Sequence, residues 1–233
     1  LILISLIAAL STIGIETDRF NNLISKKIIQ NNNDLNLKLT TVKFKLDVKG
    51  ISLFLETLKP EIKYRDIDIS AKNIKVYIDF LSIIKSEPKI KKINLLLNEL
   101  DIKQLQKLSI AFKPSNLRSL LNNKITQGKL VTELEFYLDE KNSLANFIAK
   151  GSVSNLKTEI TNNINLEKTN FSFFADKTDV LIKNIFGEMG PVKITDGDIK
   201  LKLSPEISLK SNFKSNIKFN NKLIKYMDLI KDF

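Results

Sequence analysis

The chain contains no cysteine, no histidine and no tryptophan. Without cysteine it has no disulfide, no thiol nucleophile and no cysteine-based zinc or iron–sulfur site. Without histidine it has no Ser-His-Asp triad, no imidazole base and no imidazole metal ligand. Glycine (7) and proline (5) are scarce over 233 residues, which excludes collagen-like and low-complexity architectures. Arginine is nearly absent: Arg19, Arg65 and Arg118 stand against 34 lysines. Isoleucine (32) and asparagine (24) are abundant alongside lysine, a bias typical of an AT-rich coding sequence rather than of a basic surface. The net charge of +11 is spread evenly, with 19 basic and 12 acidic residues through Ser115 and 18 and 14 after it. A nucleic-acid footprint clusters its charge and uses arginine for bidentate contacts. The charge therefore reads as a solvated lysine surface, with anionic lipid headgroups as its one special use.

What is present is a normal apolar fraction, 43%, enough to bury a substantial core. The opening run, LILISLIAALSTIGI, carries no charge. As a helix it would span roughly 22 Å, short of the roughly 30 Å hydrocarbon core, for which about 20 residues are needed. We expect residues 1–16 to be a transmembrane segment that lacks its first turns, with Leu1, Ile2, Leu3, Ile4, Leu6, Ile7, Leu10, Ile13 and Ile15 facing lipid. A signal-peptide core and a buried soluble helix are the rival readings. Residues 17–33 are expected to continue as an amphipathic helix. Thr17 is its N-cap, Asp18 lies in its first turn, and Phe20, Leu23, Ile24 and Ile28 share one face. Lys26 and Lys27 suit its C-terminal dipole, and Asn31–Asn33 end it.

From Asp34 the period changes to two. Leu35, Leu37 and Leu39 alternate with polar residues, and Val42, Phe44, Leu46 and Val48 alternate in the opposite register. The slip at Thr40–Thr41 predicts a bulge or bend. Gly50 predicts a turn. Strands follow over Ile51–Leu55, over Ile62–Tyr64 with Ile67–Ile69, over Ile74–Phe80 and over Ile90–Leu97, as in an antiparallel meander. Asp79–Pro88 is a short helix or tight connection. Residues 102–121 read as helix divided by Pro114. The first β-rich module thus covers 34–122 and a second, repeat-like one covers 123–233. Within the second, KITQGKLVTELEF from Lys124 resembles KITDGDIKLKL from Lys193, and Gly128 and Gly197 are expected in tight turns opening strands.

Chemistry-bearing candidates are few. Asp196-Gly197-Asp198 lacks the remaining oxygen ligands that calcium requires and reads as turn chemistry, so no metal site is expected. Asp66 and Asp68 lie two apart, as do Glu133 and Glu135. Each pair projects to one side of a strand, and both read as solvated faces rather than acid/base pairs. No phosphate loop, dinucleotide-binding glycine run or nucleophile elbow is present. Phe44, Phe136, Phe171 and Phe173 share faces with aliphatic residues and do not resemble base-stacking platforms. We expect neither an enzyme nor a cofactor.

The apolar segment running into TDRFNNLISKKI, the long alternating strands, and IKVYIDFLSIIKSEPKIKKINLLLNELDI (Ile74 to Ile102) together resemble the N-terminal part of bacterial AsmA-like proteins, the group of AsmA, TamB and YhdP. Ile90, Ile93 and Leu95 match that family's strand after a Leu-rich step. The KIT-x-G turns and GSVSNLKTEI resemble its repeats. The resemblance implies a single-pass inner-membrane protein whose β-rich part faces the periplasm. It also implies a long curved antiparallel sheet with an apolar concave face, and a role in phospholipid transport or outer-membrane maintenance.

The expected fold is mainly β with a few helices, a β-rich α+β protein in which an N-terminal membrane helix precedes a long sheet or groove. The expected partners are a phospholipid or other acyl-chain lipid and the membrane, with no nucleic acid. The groove candidates are Phe44, Leu53, Leu55, Ile67, Ile69, Val76, Ile78, Phe136, Phe147, Phe171, Phe173, Leu201 and Leu203. A tethered structural or adhesin-like β-protein would instead close these residues into a core. A basic nucleic-acid-binding module would show binding that weakens steeply with salt.

Overall fold

The computed structural model describes residues 2–17, 21, 25–26, 34–39, 41–48, 52–65, 67–79, 82, 89–110, 115–141, 143–161, 164–219, 221, 223–224 and 227. It is mainly β, with three described helices. Helix α1 (Ile2–Thr12) is followed by strands β1 (Ile15–Thr17), β2 (Leu35–Lys38), β3 (Val42–Asp47), β4 (Ser52–Leu58), β5 (Glu61–Tyr64), β6 (Ile67–Ile78), β7 (Ile90–Leu97) and β8 (Leu100–Asp101). Helices α2 (Ile102–Ile110) and α3 (Asn116–Asn123) come next. The chain then forms β9 (Ile125–Leu138), β10 (Leu144–Thr161), β11 (Ile164–Ala175), β12 (Asp179–Met189), β13 (Val192–Lys202) and β14 (Ser208–Ile217). The hydrogen-bonded order is β1-β3-β4-β6-β7-β9-β10-β11-β12-β13-β14, with β2 beside β5, β5 beside β6 and β8 beside β9. The path does not rejoin itself, so the sheet is open. The chain divides into two compact units, residues 1–98 with 133–147, and 99–132 with 148–233. Position 122/123, where the sequence reading divides the chain, lies at the end of α3, inside the second unit.

The N-terminal helix differs from expectation. It stops at Thr12, because the amide groups of Ile13 and Gly14 both bond back to the Ala9 carbonyl and Gly14 takes a left-handed conformation at φ +74°. A side chain at Gly14 would put its Cβ 2.7 Å from Lys45 Cγ and 2.8 Å from the Phe44 carbonyl oxygen. Ile15–Thr17, expected as the last membrane turn and an N-cap, instead pair with Phe44–Val42 of β3. The β-branched Ile15 favours that extended state. No helix among the described residues is long and apolar enough to cross a membrane, so a membrane helix is not shown. Leu1 and most of 18–33, with Phe20, Leu23, Ile24 and Ile28 of the amphipathic face, lie outside the described residues.

In the first unit the strand register gathers the alternating apolar residues on one face. Phe44, Leu55, Val76, Ile93 and Phe136 stand directly opposite one another across β3, β4, β6, β7 and β9. The next row holds Leu46, Leu53, Ile78 and Ile90. The two strands read separately around Ile67–Ile69 and Ile74–Ile78 are one strand, β6. Lys72 is an extra residue between the pairs Ala71–Leu97 and Asn73–Leu96, and this bulge keeps Ile67, Ile69 and Ala71 on the same face as Ile74, Val76 and Ile78. The face is packed: Leu55 is 1% and Val76 2% exposed. The void between Leu39, Val42, Leu55, Thr57, Ile74 and Val76 is only about 10 Å³.

The opposite side of these strands is polar and equally ordered. Lys45, Phe54, Tyr77, Lys92 and Tyr137 form one transverse row. Phe54 stacks on Tyr77 at 5.2 Å, and the Lys92 ammonium sits 4.2 Å from the Tyr77 ring centroid. Beside this row the buried Glu56 is neutralised by Lys45 at 2.8 Å and Lys75 at 3.7 Å, and it accepts a bond from Asn73. Burial, with the negative charges of Asp47 and Glu135 next, raises the Tyr77 phenol above its ordinary range.

The helical stretch over 102–121 is two helices, flanking the segment that contains Pro114. Helix α2 opens with a reciprocal cap: Asp101 accepts from the Gln104 amide at 2.8 Å, and Gln104 accepts from the Asp101 amide at 2.9 Å. Helix α3 opens with Ser115, whose hydroxyl accepts from the Arg118 amide.

Candidate functional site, an open apolar trough

The second unit builds its own two-faced sheet from β10 to β14. Antiparallel partners place Ala149, Ala175, Val180, Leu201 and Leu209 in one row. Gly151, Phe173, Ile182, Ile199 and Ser211 form the next. Thr158, Leu166, Met189, Val192 and Ile217 form another at the far end. The reverse face carries Ser152, Ser172 and Lys183 in one row and Glu167, Glu188, Lys193 and Asn216 in another. Lys168 pairs with Glu188 at 2.8 Å, which holds that carboxylate below its ordinary range.

Three strands would lose this separation without an added residue. Asn155 in β10, Lys168 in β11 and Asn184 in β12 have φ of 51°, 48° and 55°. Each sits in a break of regular pairing, and the side chains of the apolar face on either side are then three apart: Val153 and Leu156, Leu166 and Thr169, Ile182 and Ile185. Such bulges bend and twist a strand while keeping one face continuous. Side chains of the next strand satisfy two of the displaced amides. Asn170 Oδ1 accepts from the Asn155 N–H at 3.1 Å, and Asp198 Oδ1 from the Asn184 N–H at 3.3 Å. Asparagine is one of the few residues that adopts left-handed backbone at low cost.

Across the apolar face runs a trough of about 430 Å³. It is lined by Leu156, Ile160, Leu166, Thr169, Phe171, Ile182, Ile185, Met189, Val192, Ile194, Ile199, Phe213 and Ser215. The lining carries no charged side chain, and its polar groups are two hydroxyls. The trough is open toward β14, where Leu209 is 66% and Phe213 and Ile217 are each 46% exposed. Its volume falls in the range of small-molecule sites. An exposed apolar surface of this kind marks a place where something else binds.

Gly128 and Gly197, expected in turns, both lie inside strands, β9 and β13. Gly197 stands opposite Phe213, just beyond a bulge between Ile194 and Asp196. A Cβ there would come within 2.4 Å of the Phe213 ring, so the glycine lets the ring lie over the strand. Glycine signals close approach as well as turns, and the alternation on both sides of Gly197 was the sign of the former. Asp196 and Asp198 are accordingly strand residues, the first paired with Lys214 at 3.8 Å and the second bonded to the Asn184 amide.

The groove candidates separate into two sets. Phe44, Leu53, Leu55, Ile67, Ile69, Val76, Ile78 and Phe136 share the packed face of the first unit. Phe147 is half-buried on β10 within the residues assigned to that unit. Phe171 lines the trough, while Phe173 and Leu201 share its face. Leu203 lies beyond the end of β13 and is 41% exposed. The sequence reading missed most of the lining, Ile182, Ile185, Met189, Val192 and Ile194 among it. The signal was the three-residue step between apolar positions around Asn155, Lys168 and Asn184. Of the acidic candidates, Asp68 pairs with Lys63, Glu133 accepts from Asn94 and Glu135 from the Tyr137 hydroxyl, while Asp66 lies outside the described residues. No cluster of three or more acidic residues that would hold a metal ion occurs among the described residues.

These features define the class as an open antiparallel sheet with one wet face and one partly uncovered apolar face. Compared with family models, with curated proteins and with solved structures, the chain matches none.

Proposed function

We propose that this chain is a lipid-handling protein of the bacterial envelope, of the AsmA-like kind, and that the trough of its second unit receives phospholipid acyl chains. The trough itself carries the reading: about 430 Å³ of uncharged, half-exposed surface continuous across strands β10 to β14. An acyl chain laid there is stabilised by about 0.8 kcal/mol for each methylene it buries, and it removes the cost of wetting the lining. The lysines of the opposite face keep the sheet in water. The apolar residues of α1, with Ile2 88% and Ile4 71% exposed, are suited to holding the chain at an inner membrane. The β-rich part then works in the periplasm, in phospholipid transport or outer-membrane maintenance. The lining carries no ionisable side chain, and the proposed role is passive binding and passage.

The test is native mass spectrometry and lipid extraction on the full chain purified in a mild non-ionic detergent. Co-purifying phospholipid is expected, and Ile182→Asp or Ile199→Asp should lower it at least tenfold with the fold intact. A chain free of lipid that also fails to take up added phospholipid overturns the proposal. It would favour the tethered structural β-protein, the reading to which the packed first unit lends support.

A further inference from the structure

Among the described residues, strand β14 is the long unpaired edge of the sheet. Its ten residues are all exposed, and no described strand pairs with its outer side. The other described strands that pair on one side only are short, three residues in β1, four in β2 and two in β8. Exposed edges are templates for pairing, and proteins blunt them with short strands, prolines, bulges or charged side chains, lysine above all. β14 carries Lys210 and Lys214, so a pairing partner must set something other than a cation opposite each. β14 contains no proline, and the irregularity in its pairing with β13 is an extra residue, Thr195, in β13 rather than in β14 itself.

The order of residues along this edge is close to a palindrome. About Phe213, an antiparallel copy brings Leu209 opposite Ile217, Ser211 opposite Ser215 and Phe213 opposite Phe213. On the other face it brings Lys210 opposite Asn216 and Asn212 opposite Lys214. Every apolar residue meets an apolar one, every lysine meets an amide, and no two lysines face each other. A shift of one residue either way would set each of Leu209, Phe213 and Ile217 against a polar residue, since side chains alternate with period two. Neighbouring antiparallel strands are related by a two-fold axis normal to the sheet, so the trough faces of both copies lie on the same side.

We infer that two copies of this chain join through β14 as an antiparallel, two-fold symmetric pair centred on Phe213. The partner of this edge is a second copy of the protein, and the pairing makes one trough from two. Each copy alone leaves its trough open at Phe213 and Ser215; the dimer extends the wall past them with the same residues of its mate. This inference stands on the strand register and does not depend on what the trough binds.

The test uses the full chain in mild non-ionic detergent, over a concentration series in sedimentation equilibrium. A concentration-dependent dimer is expected. Asn212→Lys sets two lysine pairs face to face across the axis and should weaken dimerisation about fivefold or more. Within one copy it stands opposite Asp198, so the fold is spared. Because the chain has no cysteine, single introduced thiols report the register. Phe213→Cys should oxidise to a cross-linked dimer, since opposed residues lie within disulfide reach. Lys210→Cys, separated from its own copy by six residues of register, should not. A monomer at every concentration, equal cross-linking by both thiols, or an Asn212→Lys dimer as tight as the parent would each overturn the inference.

Discussion

The two compact units are built from the same material and reach different ends. In each, antiparallel strands alternate apolar and polar residues, and register gathers most of the apolar ones on a single face. In the first unit the middle of that face is packed, with Leu55 and Val76 at 1% and 2% exposure and a void of about 10 Å³ beside them, while Phe44, Leu53 and Phe136 around it are half-buried. In the second it remains an open trough of about 430 Å³. Alternation therefore specifies a dry face without specifying whether protein or ligand keeps it dry.

The sharpest way to break this comparison is to place one carboxylate on each face. Val76→Asp buries an unpaired charge and should cost about 4 kcal/mol or more, enough to unfold the first unit in urea or thermal melts. Ile199→Asp, beside open space, should cost about 1 kcal/mol and abolish apolar ligand uptake instead. Equal loss of stability from both would mean that the trough is a closed core. A gentler pair follows. Leu55→Ala should lose about 3 kcal/mol through the cavity it leaves, whereas Ile182→Ala should lose about 1 kcal/mol, read from urea midpoints. The bulges offer a smaller effect. Asn184→Val forces a β-branched residue into left-handed backbone and should cost about 1–2 kcal/mol, while Asn184→Gly should be nearly neutral. A neutral valine would show that the bulge relaxes.

The smallest effect is a local pH response between β11 and β12. The Asp176 carboxylate accepts bonds from the Thr178 amide and hydroxyl and from the Asp179 amide, and these hold it below its ordinary value of 3.8. A depressed carboxylate contributes stability above its unfolded value and loses it as pH falls through the folded one. Carboxyl NMR should therefore place the Asp176 midpoint below 3.8. Amide protection at 176–179 should weaken only in that acid window, and Asp176→Asn should remove the dependence. A midpoint at or above the ordinary value refutes it.

Much of the sheet was legible because its physics is local. The rows through Phe44, Leu55 and Val76 follow from period-two alternation, and the division of 102–121 into two helices was expected because a proline disfavours a helix interior. What was illegible depended on neighbours in space. The stretch between Ile69 and Ile74 looked like a boundary between two strands because a bulge and a turn both shift register, and only the partners Leu96 and Leu97 distinguish them. Gly197 looked like a turn because the ring it makes room for, Phe213, lies on the next strand. The apolar run through Ile15 looked like continuous helix. Its last residue found a partner in β3, on a strand that the run itself does not contain. The openness of the trough was beyond sequence altogether, since Ile182 and Val76 are interchangeable in pattern and differ only in what covers them.

The turn at Gly14 has a mechanical consequence. Only Ile13 and Gly14 separate the end of α1 from the first residue of β1, and α1 packs against β3 as well. Two residues reach at most about 7 Å, so there is no slack to take up. Whatever surface grips α1 grips the sheet at a fixed stand-off, and a pull on the helix is borne at once by the rungs joining β1 to β3. The join behaves as a bracket, not a leash: lengthening it with a flexible insert after Thr12 would leave every strand in place while freeing the sheet to swing.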